Sequence, residues 1–303
     1  MTGSSFHIFG GYMRNIVRLA FAFMALSVSS IQTASADLDL AIVTPRGALE
    51  TTERWSGLAE YLSGKLNETV NILPLSTQKI MDAARAGEID LVLSHSGDTS
   101  ALLAELDGAV LATVNTQDGA RFGGVIVAKK GSGITKLGDL RGKSIVSMKI
   151  NQAAGGYIFQ AYELKKAGID PRRDVKITEG KKQDDLVMAV IQGQADAAFV
   201  RTGLIEEMSA EGKIKLGDVE VVNAQHADGF GQALSTELYA EWCMTALSHV
   251  AGDTSNKIKS ALLGLTPQSP AASQARIQGF VDAVPLENIK SAMQSLKIAP
   301  FDK

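Results

Sequence analysis

The stretch 150-INQAAGGYIFQA-161 joins an apolar run, 144-SIVSM-148, to a helical pattern. A strand that feeds a Gly-rich turn and a helix start can hold an anion, because the first-turn N–H groups have no partners inside the helix. This turn carries Asn151 and Gln152, whose amides both donate and accept, followed by Ala153 and Ala154 rather than Ser or Thr. On residue types it suits an anion, a neutral polar group, or only a helix cap formed by Asn151. A second polar cluster, 94-SHS-96 with Thr99, follows the apolar run 91-LVL-93. Its hydroxyls and imidazole can donate to ligand oxygens, and they can equally cap a helix. Ser94 and His95 do not form a nucleophile–base pair, because adjacent side chains on a strand point to opposite faces. No Asp-anchored triad accompanies them, so no catalytic residue is assigned. The four His have no metal spacing, and one Cys is a poor metal site by itself. Neither a metal nor another cofactor is expected, and Cys243 reads as a small buried residue.

Elements must position these groups. Residues 38–44 and 69–75 read as strands, and 50–66 as a helix with Trp55, Leu58, Ala59, Leu62 and Leu66 on one face. Trp55 is expected in the core. Residues 77–94 read as a helix, a Gly stop and a strand. This β-α-β-α-β order predicts a mainly parallel sheet covered by helices. One signature recurs: 83-AARAGEIDLVL-93 matches 189-AVIQGQADAAF-199. In each, a helix ends at Gly (Gly87, Gly193) and an Asp three residues on (Asp90, Asp196) opens an apolar strand. Two copies point to two similarly wired lobes, with the Asp residues in structural roles. Further strands are read at 124–128, 144–148 and 218–223. Helices are read at 238–250, 253–266 and 286–296, with 226–236 and 179–186 as loops.

Composition bounds the function. The 303 residues are 45% hydrophobic and 21% charged, with a formal net charge of −3, so no basic nucleic-acid surface is present. Arg14 and Arg18, the apolar 19-LAFAFMAL-26 and the small 34-ASA-36 form the three parts of a secretory signal peptide. Cleavage is expected after Ala36, with Met13 a possible start. The exported protein is expected in the periplasm, as a monomer.

Several segments taken in order carry a resemblance to a known family: 46-RG-47 with 54-RWSGLAEYL-62, 87-GEIDLVLS-94, 136-KLGDLRGK-143, 155-GGYIFQAYELKKAGIDPRRD-174, 196-DAAFVRTGLIEEM-208 and 235-STELYAEW-242. Over about residues 38–303 the chain resembles the phosphonate-binding-like family of periplasmic solute-binding proteins. The last three segments look especially like sensor domains of tetrathionate-type histidine kinases. The resemblance implies the α/β type II periplasmic-binding-protein fold, two α/β lobes with a ligand cleft between them. It implies lobe one at 37–122 plus 228–303 and lobe two at 123–227. Crossings would fall near 121-RFGG-124 and 223-NAQHADGFG-231, where Gly123, Gly124, Gly229 and Gly231 would let the backbone turn.

In such a fold ligands meet the carboxyl ends of strands and the helix starts beyond them. The expected ligand-binding residues are Arg46, Ser94, His95, Ser96, Thr99, Asn151, Gln152, Ala153, Tyr157, Arg201 and Thr202. Arg46 and Arg201 are the cations of this set, and a guanidinium suits oxyanions. An ion pair with an acid such as Glu206 is the alternative for Arg201. Relatives usually carry Ser or Thr where this chain has Ala153 and Ala154, so the turn suits another oxyanion or a partly neutral oxyacid better than phosphonate. The resemblance thus implies a non-enzymatic binding protein that closes on a small oxyanion and presents it to an ABC permease or a membrane sensor histidine kinase. The alternatives are an enzyme or a non-transport interaction protein on the same fold.

Overall fold

Short apolar runs alternating with helices build two sheets, and the recurring Gly–Asp signature explains why both are wired alike. The computed structural model describes residues 37–44 and 47–302. The signal peptide expected over 1–36, its start at Met13 and the site residue Arg46 lie outside the described residues.

The strands are β1 Leu38–Val43, β2 Val70–Leu75, β3 Leu91–Ser94, β4 Gly108–Asn115, β5 Arg121–Phe122, β6 Gly124–Lys129, β7 Ser144–Ser147, β8 Lys176–Glu179, β9 Ala197–Arg201, β10 Val219–Val222, β11 Tyr239–Ala240, β12 Cys243–Leu247 and β13 Gly279–Asp282. The α-helices are α1 Ala48–Leu66, α2 Thr77–Ala86, α3 Ser96–Glu105, α4 Phe159–Lys166, α5 Gln183–Ile191, α6 Leu204–Ala210, α7 Gly252–Leu263, α8 Pro270–Ala275 and α9 Glu287–Leu296. The first sheet runs β13-β4-β12-β3-β1-β2 and the second β10-β6-β9-β7-β8. In the first, β1 lies parallel to both β2 and β3. In the second, β7 lies parallel to both β8 and β9. An antiparallel strand then flanks each trio, β12 on β3 and β6 on β9.

The repeated Asp does the same work twice. Asp90 donates its backbone N–H to the Asp39 carbonyl at 2.9 Å, and its carboxylate accepts from the Asp39 N–H at 2.8 Å. Asp196 donates its N–H to the Ser144 carbonyl at 3.0 Å, and its carboxylate accepts from the Ser144 N–H at 2.8 Å and hydroxyl at 2.7 Å. Each carboxylate thereby pins a parallel pair one residue before its first paired positions, Leu40 with Leu91 and Ile145 with Ala197. Gly87 (φ 70°) and Gly193 (φ 75°) end the preceding helices in the left-handed region, where a side chain is strained. The Ser144 hydrogen bonds hold the Asp196 carboxyl below the usual carboxylate range. The depressed value means stability that is present at neutral pH and lost as pH falls through the folded-state value. Asp196→Ala is therefore expected to cost about 1–2 kcal/mol at neutral pH. In urea unfolding its deficit should shrink on acidification below about pH 4; a deficit that does not change with pH would rule out the ionised anchor.

The helix predicted over 238–250 is not formed. That segment is β11 followed by β12. Every residue of Cys243–Leu247 is buried, since β12 lies between β3 and β4 with both faces covered. A strand covered on both faces shows an unbroken apolar run, which periodicity cannot tell from a buried helix. The expected loop at 179–186 gives way at Gln183 to α5.

The sheets are linked through β5 and β11, which pair antiparallel with Phe122 opposite Tyr239 and Arg121 opposite Ala240. Beyond 223–231, where the second crossing was expected, the Ser235 N–H bonds the Gly124 carbonyl, and Ile126 N–H donates to the Ser235 hydroxyl. Gly123 and Gly124 are not in the left-handed region. They are small because of close packing, since a Cβ on Gly124 would lie 2.4 Å from the Gln160 amide nitrogen and one on Gly123 2.5 Å from Leu234. Helix α9, from the tail, packs Ile289, Ala292, Met293 and Leu296 into the same apolar cluster as α4, and it also touches α3.

Candidate functional site

The carboxyl end of β3 turns directly into α3. His95 is the N-cap residue, and its ring lies 4.3 Å from that of Trp242, centroid to centroid. Its Nδ1 is 3.5 Å from an Asp98 carboxylate oxygen. Ser94 and Thr99 are buried and share a hydroxyl–hydroxyl bond of 2.9 Å, so they satisfy each other. Beneath them Cys243 is fully buried opposite Ser94, and burial pushes its thiol up to about 12. Ser96 differs: it is 0% exposed, and its hydroxyl has no hydrogen-bond partner among the described residues. A buried unpaired hydroxyl costs about 1–3 kcal/mol, so its position asks for a reason.

On the second sheet, the turn after β7 brings the opening stretch to Arg201. Asn151 is left-handed (φ 62°), which the Asn side chain tolerates better than most. Its side-chain Oδ1 is buried without a partner among the described residues. Gln152 is exposed, and Ala153 precedes a π-helical turn, Ala154–Ile158, that leads into α4. The turn needs its two glycines. A Cβ on Gly155 would lie 2.9 Å from the Phe122 ring and 3.3 Å from the Arg201 Cβ, and one on Gly156 2.8 Å from Met148. The start of the turn is thus pressed against β5 and the end of β9.

Arg201 closes β9. Its guanidinium donates to the Thr202 carbonyl at 2.9 Å and pairs with Glu207 at 2.5 Å. Glu206, the acid considered for this role, instead accepts from the Ala233 N–H at 2.7 Å. The Arg201 backbone N–H donates to the Gln183 side chain at 2.8 Å. Thr202 is buried, and its hydroxyl accepts from Gly123 N–H at 3.2 Å, tying β9 to the crossing. Tyr157 is not brought to this group. It is 2% exposed inside the α4–α9 apolar cluster, and burial raises its phenol, with Arg172 and Asp170 the nearby charges.

Sequence reasoning missed Arg54, Glu241 and Trp242. Glu241 follows β11, and its backbone N–H bonds the Ala120 carbonyl at 3.0 Å. Burial of its carboxyl raises it above the usual carboxylate range, while the charges of His95, Arg201 and Arg54 pull it back. The residue as a whole remains partly exposed. Arg54 lies over the Trp55 and Trp242 rings at 4.9 and 5.9 Å and donates to the Ala275 carbonyl at 2.9 Å. Both segments, 54-RW-55 and 241-EW-242, belong to the stretches that carried the family resemblance. The signal was therefore available, but an acid on a misassigned helix gave no reason to choose it. The Trp242 ring is thus met by the His95 ring from the start of α3 and by the Arg54 guanidinium from α1.

A family model described as ABC transporter, phosphonate, periplasmic substrate-binding protein matches residues 40–286. The chain is 30% identical over 242 residues to the tetrathionate sensor histidine kinase TtrS of Salmonella typhimurium, covering 78% of this chain and 40% of that protein. It is 28% identical over 162 residues to the arginine-binding extracellular protein ArtP of Bacillus subtilis, covering 53% and 55%. The chain thus spans about half or less of the length of these curated relatives. Among solved structures it is similar to XAC2383 from Xanthomonas citri bound to ATP, with TM-score 0.71 and 15% identity over 87% of this chain and 98% of that one. It is also similar to PhnD1 from Prochlorococcus marinus in complex with methylphosphonate, with TM-score 0.65 and 16% identity over 86% and 98%. At such identities these two likenesses show the fold: two α/β lobes of the type II periplasmic-binding kind.

Proposed function

Because the chain belongs to the periplasmic phosphonate-binding family of ABC-transporter substrate-binding proteins, we propose that it closes on a small oxyanion held between the β3–α3 junction of the first sheet and the β7–α4 turn and Arg201 of the second. The observation that carries this reading is the buried, unpartnered Ser96 hydroxyl at the start of α3. That helix start presents N–H groups and partial positive charge to the same place. Asn151, whose buried Oδ1 is likewise unpaired, and Arg201 supply the facing wall. Ser94 and Thr99 support the wall by bonding each other, and Thr202 supports Arg201. Lobe one would hold the first sheet and lobe two the second, with β5 and β11 as the crossing strands. Closure then shifts an open–closed equilibrium that a partner reads.

The ligand class includes phosphonate, phosphite, phosphate, and sulfur and arsenic oxyanions. An ABC permease is the partner in the transport reading. The likeness to the TtrS sensor kinase favours a second partner, a membrane histidine kinase that reads the closed form. The protein would act in the periplasm as a monomer without catalysis.

Thermal unfolding of the purified protein against these anions tests the reading. A ligand at about 100 times its dissociation constant stabilises by about 2.7 kcal/mol. One anion should raise the midpoint, and Ser96→Ala should shrink that shift while leaving the ligand-free protein at least as stable, since a buried unpaired hydroxyl is removed. No shift with any anion would sink the oxyanion reading. Neighbouring permease or kinase genes would separate the two partners.

A further inference from the structure

Gln160 is a polar side chain where packing by itself would select an apolar one. It is 0% exposed in α4, and its Oε1 is buried without a partner among the described residues. An orphaned buried carbonyl is unfavourable, so the amide must do something that a methionine of similar length could not. Its Nε2 donates to the Gly155 carbonyl and to the Val200 carbonyl, both at 2.8 Å, with the Val125 carbonyl further off at 3.4 Å. An amide nitrogen has two hydrogens, and the two short bonds use both. Gly155 belongs to the π-helical turn that follows Asn151, and Val200 is the residue before Arg201. One nitrogen therefore ties the β7–α4 turn to the end of β9. Gly124 makes the room, since a Cβ there would lie 2.4 Å from that nitrogen.

The other edge of the same peptide is also held. The Val200 carbonyl and the Arg201 N–H belong to one planar unit. Its carbonyl accepts from Gln160, and its N–H donates to the Gln183 Oε1 at 2.8 Å. Gln183 is the first residue of α5 and is partly exposed. Two glutamine side chains, from two helices, thus grip the peptide that leads into Arg201.

Resting on the oxyanion reading above, we propose that Gln160 and Gln183 are the positioning residues of the second-sheet wall. Together they fix the peptide plane before Arg201, and with it the direction in which the guanidinium leaves the strand. Gln160 also sets the distance between that strand end and the Asn151 turn. A long side chain meets a ligand reproducibly only from a fixed Cα, and a small misplacement weakens directional contacts. The unpaired Oε1 of Gln160 is the cost of aiming both amide hydrogens at carbonyls of two different elements. Both glutamines act through Arg201, so their effect on affinity should require it.

The test is a double-mutant cycle read by isothermal titration with sulfate, phosphate and methylphosphonate. Wild type, Gln160→Met, Gln183→Met and Arg201→Ala are compared with the doubles Gln160→Met/Arg201→Ala and Gln183→Met/Arg201→Ala. Each glutamine substitution is expected to weaken binding by about tenfold while Arg201 is present, the equivalent of roughly one hydrogen bond. In the Arg201→Ala background the same substitutions should weaken it by less than about twofold, because the group they position is gone. Gln183→Glu keeps an acceptor for the Arg201 N–H and should retain more affinity than Gln183→Met. A merely structural role would give the same fold loss with and without Arg201. That result would overturn the proposal, as would unchanged affinity in both single variants. Thermal midpoints check the fold, and because Gln183 is partly exposed its cycle stands even if Gln160→Met does not fold. No binding of any of these anions by the wild type would instead remove the oxyanion reading itself, and the positioning role with it.

Discussion

Arg201→Ala is expected to weaken oxyanion binding by on the order of a hundredfold, measured by isothermal titration with the anion that gives the largest thermal shift. A charge-assisted hydrogen bond contributes about 1.5–3 kcal/mol, and a guanidinium can offer two to one oxyanion. A loss of about 3 kcal/mol corresponds to somewhat more than a hundredfold in affinity. In the ligand-free protein the guanidinium bonds the Thr202 carbonyl and Glu207. The Glu207 pair is largely exposed and contributes about 0–1 kcal/mol, so the variant should remain folded. Arg201→Lys should recover part of the affinity, because the charge returns without the fork of donors. If Arg201→Ala binds like wild type while its unfolding midpoint falls, Arg201 serves the fold alone and the facing wall must be assigned elsewhere.

Trp55→Ala is expected to cost about 3–5 kcal/mol, the largest single loss of stability proposed for this chain. Trp55 is 1% exposed in the core that α1 forms over the first sheet, among Leu58, Leu62, Leu91, Leu93 and Met244. Its ring lies 5.9 Å from that of Trp242, and removing a large ring from a close-packed core leaves a cavity. For a protein of this size the unfolding midpoint should fall by on the order of 10 °C. The chain has two Trp, so the variant leaves Trp242 as the sole indole to follow in urea unfolding. A loss under about 1 kcal/mol would show that the core collapses onto the gap. The effect should also reach the site, since Trp242 carries the His95 ring. A variant that folds but binds its anion more weakly would show that this stack positions the β3–α3 junction.

The sequence by itself determined the local features of this protein. Gly87 and Gly193 mark helix ends, because only glycine takes the left-handed region there at no steric cost. Asp90 and Asp196, three residues on, announce the parallel pairs that their carboxylates pin. The polar residues at the end of β3, the Asn-Gln turn after β7 and Arg201 at the end of β9 are candidates for the same reason: each sits at the carboxyl end of an apolar strand, and in an α/β sheet that is where ligands are met. The tertiary structure decided what depends on neighbours distant in sequence. Whether Cys243–Leu247 is strand or helix was settled by β3 and β4 covering it on both sides. Tyr157 was turned into the core by a π-helical start that no short-range pattern announces. Trp242 met the His95 ring and the Arg54 guanidinium only when the fold brought β12, α3 and α1 together. Periodicity records which face of an element is apolar, whereas the charge state and surroundings of a single carboxyl are set by whichever side chains the fold packs against it.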